Sequence, residues 1–499
     1  MDQFSNLEEG IDSNDRATEI TPNHHQSWHD RGVKLLELGK FEEAIASFDR
    51  ANEFKPDRAE TWYSRGFVLC MLGRFEEGIA NYDLAISLGE RSANEFQPQS
   101  DQAWYNRGVA LGVLGRFDEA IASYDRAIAS NPDKYEAWYN RGTVLGVLGK
   151  FDAAIPYLDK AIEIKPDCAE VWYDRATVLY KLGRLPDAIA SLDRAIEFKP
   201  SNHQAWYNRG VLLDELGSFD QTIFSLDRVI EIKPDYYEAW NNRGLALSKL
   251  GRFDQAIASY DRAIEFKPDS AEIWNNQGLA LSKLGRFDQA ISSFDQAIEI
   301  KPDYYEACYN RGSCLGNLGR LEETIFSYDR AIAIKPDYDE AWYRKGLALA
   351  MLGNFNEAII SYDLAIETKP DRHDIWHSKG FALEELGRFD DAIVSYDQSI
   401  AIKPENYPAW YNRGLILSKL GKFDDAIASY QQVLSNAPQD RDAIYGLACV
   451  YALQGNIDLA IDYLQQSIDL DPHKFVNLAR QDRDLQSLHH DPRFIALIK

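Results

Sequence analysis

Residues 237–270 read YEAWNNRGLALSKLGRFDQAIASYDRAIEFKPDS. Trp240, Gly244, Leu247 and Leu250 recur at roughly the spacing of one helical face. Gly251 then breaks the pattern, as a helix C-terminus does. A second stripe follows at Phe253, Ala256, Ile257, Tyr260, Ala263 and Ile264. Lys267-Pro268-Asp269 closes the stretch, because proline cannot continue a helix. The stretch is therefore expected to form two antiparallel helices with short links.

The same stretch sets a lattice for the whole chain. All 11 tryptophans are separated by the step from Trp206 to Trp240 or by a multiple of it, with one exception. The step from Trp62 to Trp104 is longer, because it holds an insertion of 8. Cys308 and Ile444 occupy the two lattice points without Trp. Thirteen of the 18 prolines stand at the unit-closing position, from Pro56 to Pro472. A fixed period of about 34 residues marks a stacked repeat architecture and outranks any local motif.

Trp, Gly four residues later, Leu-Gly at the turn, then Ala, an aromatic, Ala and Pro at fixed offsets resemble the tetratricopeptide repeat. The pattern covers thirteen units within residues 25–474: 25–58, 59–92, then eleven contiguous units of the same length from 101, with the 8-residue insertion between 85 and 98. Residues 1–24 are expected to form a degenerate half-repeat cap. Ile11, Asp15, Arg16, Ala17, Glu19 and Pro22 keep the register of Ile45, Asp49, Arg50, Ala51, Glu53 and Pro56. Residues 475–499 leave the pattern and resemble the closing helices of such arrays, whose ends need covering. The resemblance implies an all-α fold, a right-handed superhelical solenoid whose first helices line a concave groove. The insertion is expected to lengthen or kink the second helix of repeat two near Gly89.

Composition narrows the function. A formal net charge of −25 opposes binding to nucleic acid or to an anionic membrane surface. No apolar run approaches the ~18 residues of a spanning helix. Five cysteines without a CxxC pair fit reduced thiols, hence a cytoplasmic location. No catalytic arrangement stands out, so the chain is expected not to be an enzyme and to need no cofactor. His373 and His377 lie four apart on one helical face but lack a third ligand, so no metal site is assigned. Cys308 and Cys314 are read as small apolar fillers.

Binding is expected in the groove. Counting residue 237 as position one, the resemblance places positions 2, 5, 6, 9, 12 and 13 on the concave face. Position 6 is Asn in seven repeats: Asn106, Asn140, Asn208, Asn242, Asn276, Asn310 and Asn412; repeat ten carries Arg344. An amide offers both donor and acceptor to an extended backbone. A similar ladder lines the repeats of the O-linked N-acetylglucosamine transferases, although Asn is also common here for local bonding. Position 5 is often Tyr, including Tyr105, Tyr139, Tyr207 and Tyr309, and Asn241 and Asn275 in repeats seven and eight. Those two repeats agree at most positions, including all six groove positions, which end in Lys249 and Lys283. Tyr180-Lys181 and Asp214-Glu215 exemplify the variable positions 12 and 13. The acidic, tyrosine and apolar residues at positions 2, 5 and 9 depart from the carboxylate clamp with which some family members hold acidic chaperone tails.

Beside the groove, position 7 is mostly Arg. Asp stands eighteen residues later in the first eleven repeats, which implies an Arg–Asp pair in each layer. The function expected is a non-catalytic interaction scaffold holding a protein or extended peptide partner, with self-association possible. Two alternatives stay open: a self-assembling structural superhelix or spacer, and a non-catalytic subunit of an enzyme complex.

Overall fold

The computed structural model describes residues 16, 19–20, 23–91 and 100–499. The half-repeat expected at the N-terminus lies almost wholly outside them, as do residues 92–99 of the insertion. From His25 onward the described residues form consecutive helix pairs with no strand among them. First helices span 13 residues, as in Ala169–Lys181, or 14 in Ser100–Val113. Second helices span 14, as in Leu185–Phe198, except Phe75–Arg91 in repeat two, which spans 17 and continues unbroken through Gly89. The chain divides into two compact units, Met1–Ala246 and Leu247–Lys499, and each is described by itself.

The turn between paired helices is set by one backbone conformation. Gly251 adopts φ +72°, a left-handed geometry costly for residues with a Cβ. Arg252 N–H then reaches back to Leu247 O at 2.9 Å and caps the helix. The link to the next repeat is tied by the tryptophan lattice. Trp206 Nε1 donates to Pro200 O at 3.0 Å, and Trp274 Nε1 to Pro268 O at 2.9 Å. Each such Trp is half-buried, so it serves as a cover with a polar handle as much as a core residue.

Within a repeat the two helices touch at position 8. A Cβ built on Gly278 would lie 2.6 Å from Phe294 Cε1, and one on Gly108 would lie 2.6 Å from Tyr124 Cε1. The aromatic at position 24 is the largest buried side chain of most repeats, as Tyr260, Tyr362, Tyr396 and Tyr430 show. Glycine at position 8 is what lets that ring pack flat against the opposing helix.

The Arg–Asp pairing runs between repeats, not within one as the eighteen-residue spacing implied. Arg209 Nε donates to Asp193 Oδ1 of the preceding repeat at 2.6 Å, while Arg209 Nη1 donates to Ser225 Oγ of its own repeat at 2.7 Å. Arg65, Arg175, Arg311 and Arg413 bridge in the same way, back to Asp49, Asp159, Asp295 and Asp397. Lys345 and Lys379 keep the salt bridge to Asp329 and Asp363, and Gln277 reaches Asp261 through its amide. The sequence held the discriminating signal. Repeat twelve keeps Arg413 but carries Gln431, and it is Leu447 of the following repeat that has lost its partner.

At the C-terminal end, helix Pro472–Ala479, the short 3-10 turn Arg483–Leu488 and helix Pro492–Leu497 follow the last repeat. Phe475, Ala479, Leu485, Leu488 and Phe494 are buried in one cluster with Ala448, Ala460 and Leu464. The first of these helices begins at Pro472, three residues before the boundary expected from the repeat period.

The bridge gives a direct test. A double-mutant cycle in denaturant unfolding should give a coupling of about 0.5–1 kcal/mol between Arg209 and Asp193, since the carboxylate is half exposed. Coupling between Arg209 and Asp227, eighteen residues on in the same repeat, should be near zero. The reverse ranking would refute the between-repeat assignment.

Candidate functional site

The expected groove residues form a chain of their own hydrogen bonds. In the first unit, Asn106, Asn140, Asn208 and Asn242 each donate Nδ2 to the tyrosine hydroxyl at position 5 of the preceding repeat. Those acceptors are Tyr63, Tyr105, Tyr173 and Tyr207, at 2.8–3.0 Å. In the second unit Asn310 Nδ2 donates to Asn275 Oδ1 at 3.1 Å, and Asn412 Nδ2 lies 3.3 Å from His377 Nε2. One amide N–H of each of these asparagines is therefore spent on joining repeats. The tyrosine hydroxyls that accept these bonds keep a proton to donate.

The remaining candidates divide by environment. Asn275 is buried, and Tyr309 packs its ring on Tyr328 and Tyr338 at 5.6 and 5.2 Å. Asn241 Nδ2 approaches Asn242 Oδ1 at 3.4 Å, and Asn276 is half-buried. Arg344 Nε donates to Glu340 at 2.8 Å, beside Arg372, which binds Asp339, Glu340 and Asp374. Lys249 and Lys283 are exposed. Position 5 thus belongs to the repeat junction as much as to the surface.

Two clefts do open on the first-helix face of the first unit. The larger, about 260 Å³, is lined by Ala176, Tyr180, Lys181, Leu192, Asn208 and Val211, among others. A second of about 90 Å³ lies one repeat on, between Gly210, Leu226, Asn242 and Leu245. Their origin is the position-8 contact. Repeats four to six carry Leu158, Leu192 and Leu226 where most others carry a ring. Loss of the ring leaves space, and repeat five fills part of it with Ala176 in place of Gly. The Ala–Leu combination recurs in repeat thirteen as Ala448 and Leu464. There the C-terminal segment supplies Phe475, Leu485 and Leu488 to the same buried cluster. Among the expected groove positions, Tyr180, Lys181, Asn208 and Val211 line the larger cleft, and Val211, Asp214, Asn242 and Leu245 the smaller. Tyr180 and Lys181 stood out in the sequence as variable, and Ala176 and Leu192 carried no signal until position 8 was matched with position 24.

The polar clusters serve other purposes. His377 takes the place of tyrosine at position 5, and burial with nearby His373 pushes its pKa down, so it is neutral at pH 7. Cys449 Sγ, Asp482 and Asp484 bring potential ligand atoms within 4.8 Å of one another. Burial holds the Cys449 thiol well above its usual range, and a protonated thiol is a poor metal ligand. Tyr445 OH donates to Asp482 at 2.8 Å, which ties the C-terminal segment to repeat thirteen.

Asp174 supplies a pH-dependent exception in the ladder. It stands where Asn106, Asn140 and Asn208 stand in neighbouring repeats, and it accepts from Tyr139 OH at 2.7 Å. Burial raises its pKa above the ordinary carboxylate value, against the opposing effect of its bonds to Tyr139 and Thr143. The folded state therefore holds this proton more tightly than the unfolded chain, and stability falls as pH rises from about 4 through the raised value. Asp174→Asn should stabilise the protein at pH 7 by about 0.5–1.5 kcal/mol, with the gain shrinking toward pH 4. Thermal unfolding across that range measures it; a pH-independent loss would contradict the assignment.

Comparison with known proteins agrees with this geometry. Tetratricopeptide-repeat models match residues 57–132, 105–169, 139–203, 173–223, 237–270, 271–304, 305–338, 339–372 and 411–474, and a TPR repeat model matches 32–73 and 382–421. A protein prenyltransferase alpha subunit repeat model matches residues 219–250. No curated protein matches significantly. Among solved structures, YrrB, described as a TPR protein with an unusual peptide-binding site, is 21% identical. It aligns over 38% of this chain and 97% of its own, with a TM-score of 0.35. MamA is 27% identical over 32% of this chain and 94% of its own, with a TM-score of 0.31. The C-terminal part of a TPR repeat-containing protein from Cytophaga hutchinsonii is 16% identical over 48% and 99%, with a TM-score of 0.44. With TM-scores below 0.5 these likenesses say nothing about what this chain binds. The repeat matches themselves cover most of the sequence, and the chain belongs to the tetratricopeptide-repeat family.

Proposed function

We propose that this protein is a non-catalytic interaction scaffold that holds an extended segment of a partner protein on its first-helix face, anchored at the cleft of repeats five and six. The family's repeats support a protein-interaction role in general, and the cleft supports this particular form of it. Its apolar floor, Ala176, Leu192, Val211 and Leu212, suits a large apolar side chain. Lys181 stands exposed at the rim, without an ion pair among the described residues, and offers a charge to an acidic neighbour. The Asn208–Tyr173 pair beside it offers backbone hydrogen bonds of about 0.5–1.5 kcal/mol each, so affinity accumulates over several contacts. Repeat thirteen, with the same Ala–Leu combination, buries Phe475 in one cluster with Ala448 and Leu464. Five thiols fit a reducing compartment, and we place the protein in the cytoplasm.

The cleft can be closed by restoring the pair found in repeat three, Gly108 with Tyr124. Peptides selected from a random library on the wild-type protein should carry a large apolar residue beside Asp or Glu. Ala176→Gly combined with Leu192→Tyr should weaken their binding at least tenfold, about 1.4 kcal/mol, with the melting temperature unchanged or raised. Undiminished binding in that variant would remove the cleft from the function.

A further inference from the structure

On the opposite helix layer, position 22 faces solvent in every repeat. It is Ala in six repeats, and Ser292, Pro156 and Asp462 in three more. Phe224 in the first unit is a single departure, with its ring edge-on to Trp206 at 5.9 Å. In the second unit, three successive repeats depart together. Phe326, Ile360 and Val394 are 61%, 60% and 58% exposed. A run of large apolar side chains, one per repeat at a position otherwise small or polar, is costly in water and marks an interaction surface. Ile360 and Val394 line a common cleft of about 440 Å³, with Ile359, Trp376 and Leu383 among its other lining residues.

The charges around this cleft point to the occupant. The cleft is lined by the second helices Phe355–Thr368 and Phe389–Ile402, which carry six carboxylates and no Lys or Arg, and by Trp376, Lys379, Leu383 and Arg388 from the segment between them. Position 26, basic in seven repeats, is Leu364 and Gln398 here. Lys379, Arg388, Lys422 and Arg413 neutralise Asp363, Asp391, Asp390 and Asp397 from neighbouring elements. Glu357 and Glu367 remain exposed, without an ion pair among the described residues. Repeat ten has Asn354 where repeats nine and eleven have the arginines that bind their position-19 acids, Arg320 to Glu323 and Arg388 to Asp391. The surface thus combines exposed apolar side chains with the paired Lys379–Asp363 and Arg388–Asp391, and the acids left over beside it, Glu357 and Glu367, give it an acidic excess. A second copy docked face to face about a two-fold axis would set these acids against each other, in a molecule already at −25.

We propose that the second helices of repeats nine to eleven form a docking surface for a basic amphipathic helix of a partner protein. Its apolar face seats on Phe326, Ile360 and Val394, and its cations meet Glu357 and Glu367. This surface lies on second helices of the second unit and the cleft on first helices of the first, so it stands or falls separately from the peptide-binding reading.

The test uses the full-length protein and a fluorescent Leu/Lys amphipathic helical peptide of about five turns, with a Leu/Glu counterpart of the same pattern. The Leu/Lys peptide should bind, and the Leu/Glu peptide should bind at least tenfold more weakly. The triple variant Phe326→Ala, Ile360→Ala, Val394→Ala introduces the residue that six other repeats already carry, so it should fold normally while losing at least tenfold in affinity. Hydrogen exchange with peptide bound should show new protection in 355–368 and 389–402. The Ala176→Gly, Leu192→Tyr variant should bind this peptide as the wild type does. Unchanged affinity in the triple variant, or new protection confined to first helices, would overturn the proposal. So would a wild-type dimer in sedimentation that the triple variant abolishes, because the occupant would then be a second copy.

Discussion

The contact between position 8 and position 24 governs this structure. Two helices approach closely enough for an aromatic ring to lie on backbone, which only glycine at position 8 allows without displacement. Tyr124 on Gly108 and Phe294 on Gly278 show the filled state, and the other contacts of a repeat are arranged around it. The left-handed glycine returns the chain antiparallel, the tryptophan indole binds the preceding proline carbonyl, and the arginine bridges back to the previous aspartate. Each operates between neighbouring elements, as expected for a quasi-one-dimensional architecture.

The same contact bears on where the two first-helix clefts open. Replacement of the ring by Leu192 and Leu226 opens notches on the first-helix face without altering the backbone plan. In repeat thirteen, which has the same Ala–Leu combination, the chain's own C-terminal side chains are buried in one cluster with Ala448 and Leu464. Variation in a core position, together with that in the exposed groove positions, thus shapes the surface of a constant scaffold. On the other layer the variation is simpler. Position 22 faces solvent throughout, so a large apolar residue there adds surface rather than volume.

The asparagine ladder illustrates how a repeated motif can serve two purposes. In the first unit one N–H of each amide is taken by a tyrosine hydroxyl of the preceding repeat, so part of the ladder's regularity belongs to stacking. The bond leaves the amide oxygen and the hydroxyl proton oriented by a fixed partner. Preorganised polar groups of this kind suit backbone recognition better than freely rotating ones.

The sequence by itself determined the period, the helix pairs and their turns. Trp, Gly, Pro and the apolar stripes act within a single repeat and leave a periodic trace. It also contained the true pairing of Arg413, retained beside Gln431, although the nearer eighteen-residue spacing concealed it. Groove-facing positions could be named from the family pattern, but which of them are free could not. Only the tertiary structure placed Asn275 in the interior, tied Arg344 to Glu340, and turned two leucine substitutions into clefts. The reason is physical. Local propensity and periodicity are written along one chain segment, whereas burial, hydrogen-bond partnership and cavity volume depend on side chains from two or three repeats meeting at one point.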